Sequence, residues 1–90
     1  MTSFVRVRPF TGTWLGRKGT STAYHLDRSQ TGKRVVAHRW DGEDTVEVRA
    51  VEGSFWRGRI PGREFSRELV PADEVDAAVA RAAAILAEQG

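Results

Sequence analysis

The sequence predicts a mainly β fold, in which a five-stranded antiparallel meander sheet is followed by one C-terminal α-helix. Over the first sixty residues, Val, Thr and aromatic residues alternate with charged ones, which is the period of half-buried strands. Glycine-bearing turns separate these stretches at short spacing, so neighbouring strands should run antiparallel. The last twenty residues change to the period of a helix.

We expect one domain over residues 1–90, with strands over residues 3–15, 20–27, 34–40, 45–51 and 55–60. The first turn is expected to have four residues, Gly16–Gly19, and residues 61–70 to form an irregular crossing segment with a short strand near its end. A small SH3-like barrel with the same helix is the closed alternative. This likeness to small SH3-like chromatin barrels concerns architecture alone and is carried by no shared residues.

The helix is predicted over residues 72–88, because Pro71 precedes the first turn and acidic residues follow it near the positive end of the helix dipole. One stripe of this helix is apolar and is formed by Val75, Val79, Ala82 and Leu86, widened by Ala78 and Ile85. The small side chains of this stripe should let the helix lie close to the sheet.

Alternation along the strands assigns their side chains to two faces. The face under the helix should hold an apolar core, for which we expect Leu26, Val35, Val46, Val48 and Leu86 to be nearly fully buried. Tyr24, Ala37, Arg39 and Ala50 are assigned to the same face. The turn after strand four needs a positive φ at Gly53 or a bulge, because Arg57 and Arg59 would otherwise enter the core.

The opposite face collects aromatic and arginine side chains, and the pattern Ser-Phe-x-Arg-x-Arg occurs twice in the chain, at residues 3–8 and 54–59. The candidate binding residues on this face are Phe4, Arg6, Arg8, Phe10, Trp14, His38, Trp40, Phe55, Arg57 and Arg59. Arg17 and Lys18 are added as two cations at the expected tip of the first hairpin, where they could hold a phosphate.

Aromatic rings interleaved with guanidinium groups suit nucleic acid, single strands above all, because bases stack on the rings while arginines contact phosphates. Residues 1–40 contain eight basic residues and one acid, a net charge of +7, which favours an anionic partner. A protein partner with an acidic surface is the alternative, with the chain as an adaptor, an inhibitor or a homodimer. A second small core is the purely structural interpretation.

An enzymatic function is not expected, because the serines lie in turns or at strand edges and form no nucleophile motif. No cofactor is expected, and no metal site either, because the chain has no cysteine and His25, His38 and Asp27 lack a ligand spacing. No apolar run reaches membrane-spanning length and the N-terminus has no signal-peptide segment, so we expect a cytoplasmic protein without membrane contact.

Overall fold

The computed structural model describes residues 5–6, 10–14, 16–25, 32–53 and 62–88. Its elements are β1 (Val5–Arg6), β2 (Phe10–Trp14), β3 (Arg17–His25), β4 (Arg34–Trp40), β5 (Thr45–Glu52), β6 (Arg63–Pro71), a 3-10 turn (Ala72–Glu74) and α1 (Val75–Glu88). The strands form one antiparallel sheet in the order β1, β3, β4, β5, β6, and β2 shares the edge of β3 with β1. The predicted fold class, a mainly β antiparallel sheet with one C-terminal helix, is confirmed.

The first hairpin is tighter than predicted. Trp14 pairs with Arg17, so Leu15 and Gly16 alone connect β2 to β3, and the expected four-residue turn Gly16–Gly19 is wrong. Gly16 has a φ of 78°, a conformation that glycine adopts without steric cost and that two-residue hairpin turns require. Arg17 and Lys18 are therefore strand residues. A four-residue turn would have paired Leu15 with Thr20, so the observed register differs from the predicted one by four positions. Because four is an even number, each β3 side chain stays on its predicted face of the sheet.

Residues 61–70 do not form the predicted irregular segment, because β6 is a nine-residue strand that pairs with β5 along its length. Since β5 lies between β4 and β6, the strand predicted over residues 55–60 cannot be its partner. Residues 54–61 themselves lie outside the described residues. The sequence did not predict the full length of β6, because its charged residues weaken the alternation between apolar and polar positions.

The turn after β5 begins with the backbone conformation that the alternation of side chains between the two faces required. Gly53 has a φ of 101°, so the predicted positive φ is confirmed, while Arg57 and Arg59 lie outside the described residues. A register shift also occurs between Ala50 and Val51, in the pairing of β5 with β6. Gly53 and Gly62 also approach closely: a Cβ on Gly53 would lie 2.7 Å from the Cα of Gly62. The two ends of residues 54–61 are thereby held side by side.

The core lies between the sheet and α1, which packs on β4, β5 and β6. Its buried members are small or aliphatic: Val35, Ala37, Val46, Val48, Ala50 and Val70 from the sheet and Ala78, Val79, Ala82, Ala83 and Leu86 from the helix. The predicted core is thus confirmed for Val35, Val46, Val48 and Leu86, while Leu26 lies outside the described residues. Each buried aliphatic side chain contributes about 1.5–3 kcal/mol by leaving water.

Candidate binding surfaces

The side of the sheet that α1 does not cover, the helix-free side, was predicted to be an exposed binding face. At its centre it is buried instead: the exposed fraction is 8% for His38, 6% for Arg34 and 1% for Val51. Arg34 pairs with Val51 across β4 and β5, so these side chains are neighbours on that side. The prediction of an open surface around His38 is therefore wrong, and this part of the face is a small second core.

The two buried polar side chains of this second core, Arg34 and His38, each make a directed hydrogen bond, which buried polar residues generally need. Arg34 Nη1 donates to the carbonyl oxygens of Gly53 at 2.7 Å and Gly32 at 3.1 Å. A hydrogen bond of 2.6 Å joins the Ser21 hydroxyl to His38 Nδ1. Burial lowers the pKa of His38, the nearby charge of Arg49 lowers it further, and Glu47 opposes the shift.

Gly19 gives the His38 ring its position. A Cβ at Gly19 would lie 2.8 Å from the Arg39 carbonyl oxygen and 2.9 Å from His38 Nε2, closer than carbon atoms normally approach. Only a residue without a side chain therefore lets β4 bring His38 so close to β3. The second glycine of the Gly-Arg-Lys-Gly stretch serves this packing contact, while its first glycine serves the turn.

One part of the predicted site is assembled and accessible. The Arg17 guanidinium lies 5.1 Å from the centroid of the Trp40 ring, and the His38 ring meets Trp40 in an edge-to-face contact at 4.4 Å. Arg17 is exposed and Trp40 is half-buried. The indole is thereby fixed by two neighbours, and a cation lies over it at the end of the sheet where β4 finishes.

The described backbone places the remaining predicted residues on both sides of the sheet. Lys18 is exposed but follows Arg17 directly in β3, so alternation places it on the helix side. The strand predicted over residues 3–15 is not regular, because Arg6 pairs with Tyr24 and Phe10 with Ser21, a register that differs by one residue. The register puts the backbone positions of Phe10 and Trp14 opposite Ser21 and Arg17, on the predicted side of the sheet. It puts Arg6 opposite Tyr24, on the helix side, so the single alternation assumed over residues 3–15 is wrong for Arg6. Phe4, Arg8, Phe55, Arg57 and Arg59 lie outside the described residues.

Glu43, in the turn between β4 and β5, holds an arginine on each side of the sheet. Its carboxylate accepts a hydrogen bond from Arg17 Nη2 at 2.9 Å, and its backbone carbonyl accepts one from Arg39 Nε at 2.8 Å. The turn is fixed in its place because the Asp41 amide donates to the Lys18 carbonyl at 2.9 Å. Sequence reasoning assigned this acidic turn no role, since nothing in the sequence places it beside Arg17.

A groove of about 470 Å³ lies on the helix side, beside the N-terminal end of α1. It is lined by Thr20, Thr22, Tyr24, Ala37, Arg39, Asp41, Gly42, Val46 and Val75. Sequence reasoning assigned Tyr24, Ala37 and Val46 to the core face but did not foresee that α1 leaves room beside β3. The signal was present in the threonines of β2 and β3, which place hydroxyl groups where a covered face would need apolar side chains.

Within the described part of the chain, no three His, Cys, Asp or Glu side chains are grouped so that they could hold a metal ion. The helix found in those residues is neither long nor apolar enough to cross a membrane. No family model matches the sequence, and no curated protein or solved structure matches it significantly. The function is therefore inferred from the surfaces of the protein.

Proposed function

We propose that this protein is a non-enzymatic module that binds single-stranded nucleic acid in the cytoplasm, with the Arg17–Trp40 pair as its contact point. The observation that carries this proposal is the exposed guanidinium 5.1 Å from the centroid of a fixed, half-buried indole. A base stacked on an aromatic side chain contributes roughly 1–3 kcal/mol, and arginine forms charge-assisted hydrogen bonds with phosphate.

Arg17 can change partners at small cost. Its ion pair with Glu43 is well exposed, with side-chain exposed fractions of 52% and 46%, and such pairs stabilise proteins by about 0–1 kcal/mol. A phosphate that approaches Trp40 can therefore replace the Glu43 carboxylate. The concentration of positive charge in residues 1–40 supports the same partner, since a net charge of +7 attracts a polyanion.

The test is the anisotropy of a labelled single-stranded oligonucleotide, titrated with protein at several salt concentrations. Trp40→Ala should weaken binding by roughly 1–3 kcal/mol and leave the salt dependence nearly unchanged, because stacking releases no counterions. Arg17→Gln should flatten the slope of log affinity against log salt by about 0.7. Arg81→Gln removes the same charge from the helix side and serves as the matched control.

Two results would contradict this proposal. One is the absence of binding to single-stranded DNA and RNA at ~50 mM salt, where electrostatic association is strong. The other is an equal loss of affinity in Arg17→Gln and Arg81→Gln, because binding would then follow net charge and not a site.

A protein partner is the second candidate, and Leu69 favours it. This side chain is 68% exposed and lies on β6, an outer strand of the described sheet, where its cross-strand partner is Glu47. An exposed leucine on an edge strand suits contact with another protein or with a second copy of the chain. Sedimentation velocity of wild type and Leu69→Ser tests this: a dimer that the substitution dissociates supports it, and a monomer at all concentrations contradicts self-association.

A further inference from the structure

The groove on the helix side has the size and construction of a small-molecule site. Its volume of about 470 Å³ lies within the range of ligand pockets, roughly 300–1,000 Å³. Ala37 and Val46 form a buried apolar floor, while Tyr24 and Val75 add partly buried apolar surface. An apolar or planar group of a ligand would be removed from water there.

Arg39 lines this groove in an orientation that is already fixed. Its Nε donates to the Glu43 carbonyl at 2.8 Å, while its two Nη groups make no hydrogen bond with the described residues. The side chain is exposed, so both Nη groups remain accessible from the groove. A guanidinium held in this way can bind two oxygens of one phosphate at once, and little conformational freedom is lost on binding.

The surroundings of Arg39 favour a phosphate that belongs to a larger, hydroxylated molecule. Arg39 pairs with Thr20, and Lys18 is two residues from Thr20 on the same side of β3, a diagonal neighbour at roughly 7–8 Å between Cα atoms. Thr20 and Thr22, whose side chains bear hydroxyl groups, line the same groove. Asp41 also lines it, and its carboxylate repels a bare anion but accepts hydrogen bonds from ligand hydroxyls.

We propose that this groove binds a small phosphorylated ligand of mononucleotide size. Arg39 and Lys18 bind the phosphate, Asp41 accepts a sugar hydroxyl, and the planar group lies on Tyr24 and Val75. The inference is independent of the proposed nucleic-acid function, because Arg39 and the Arg17–Trp40 pair lie on opposite sides of the sheet.

The experiment is a titration of the isotope-labelled full chain with AMP, adenosine and inorganic phosphate, followed by amide chemical shifts. AMP should give saturable shifts in residues 20–24, 37–42 and 75, and adenosine or phosphate alone should bind at least about tenfold more weakly. Arg39→Gln should weaken AMP binding about tenfold or more. Arg67→Gln removes the same charge from an exposed site on β6 and should leave AMP affinity unchanged.

Thr22→Phe provides a second arm, because it fills the groove while Arg39 and Lys18 remain. It should abolish the AMP shifts in a protein whose spectrum still shows the native dispersion. The proposal is overturned if AMP fails to saturate by about 10 mM, which corresponds to negligible affinity. It is also overturned if Arg39→Gln and Arg67→Gln weaken binding equally, if Thr22→Phe binds as wild type does, or if the shifts centre on Arg17 and the indole N–H of Trp40 while residues 22, 24, 37 and 75 do not shift.

Discussion

The two sides of the sheet are both buried at their centres, but different interactions stabilise them. On the helix side, Val35, Val48 and Leu86 pack with no polar atom among their side chains. On the helix-free side, Arg34 and His38 are nearly as buried, and directed hydrogen bonds stabilise them. The stability of the helix side therefore depends on the close packing of apolar side chains. The stability of the helix-free side depends on the close approach of β3 to β4 at Gly19 and on the protonation state of His38.

The largest effect should come from a cavity on the helix side. Leu86→Ala should lower the free energy of unfolding by roughly 2–4 kcal/mol, because Leu86 is fully buried against the sheet and α1 cannot collapse far into the gap. Chemical denaturation measures it. The neighbouring Ile85→Ala is the control and should cost clearly less, since Ile85 is only half-buried. A loss below half a kcal/mol for Leu86→Ala would show that α1 does not pack as described.

A methyl group on the helix-free side should be the next most damaging change. Gly19→Ala should cost roughly 1–3 kcal/mol, because the new Cβ meets the Arg39 carbonyl and the His38 ring. Removing the ring in the double variant Gly19→Ala, His38→Ala should recover part of that loss, measured as a coupling energy by denaturation. Strictly additive effects would contradict the contact between Gly19 and His38.

A change of pH should affect the two sides of the sheet differently, since the buried core described on the helix side contains no His, Asp or Glu side chain. The pKa of His38 is lowered in the fold from 6.5, first by burial and then by Arg49, so the unfolded chain binds the proton more readily. The stability contributed by neutral His38 is fully present above the unfolded pKa. It is lost as the pH falls from about 6.5 through the lower folded pKa.

His38→Gln should remove this part of the pH dependence, which denaturation at a series of pH values between 7 and 4 would measure. Leu86→Ala is the matched comparison, since it should lower stability by the same amount at every pH. An unchanged slope in His38→Gln would show that the burial of His38 does not govern its titration.

The smallest effect should come from the exposed ion pair that joins β6 to α1. Arg81 Nη2 lies 2.8 Å from Glu68 Oε1, and this hydrogen bond lowers the pKa of Glu68. The pair stabilises the fold above the unfolded pKa of Glu68, and its contribution is lost as the pH falls through the lower folded pKa. Glu68→Gln should shift the thermal midpoint only slightly, and less at high salt. A shift comparable with that of Gly19→Ala would contradict the exposed position of the pair.

The sequence predicted the helix side well because periodicity reports burial under a regular element. Val35, Val46 and Val48 alternate in uninterrupted strands, and an even shift of the first hairpin could not change their face. The strand β6 was predicted only as a short strand near the end of residues 61–70, because Arg67 and Glu68 lie at its centre and its apolar content is low; pairing with β5 outweighs that low apolar content.

The candidate sites were harder to predict because they depend on contacts between residues distant in sequence. Alternation alone left His38 on an open face, since it cannot show that Gly19 lets the ring pack closely. Arg17 and Trp40 were both selected by residue type, but their stacking follows from a two-residue turn that the sequence did not reveal. Arg39 was assigned to the correct face without a function, because the groove exists only where the helix does not reach.

The close approach of Gly53 and Gly62 has a consequence for how the chain can vary. These two residues hold both ends of residues 54–61 together, and Glu52 pairs with Arg63 behind them. Closing a longer segment costs only about 0.6 kcal/mol for each doubling of its length. A change in the length of the segment between the two glycines should therefore cost little in loop-closure entropy, whereas a side chain at either glycine would force the facing ends of β5 and β6 apart.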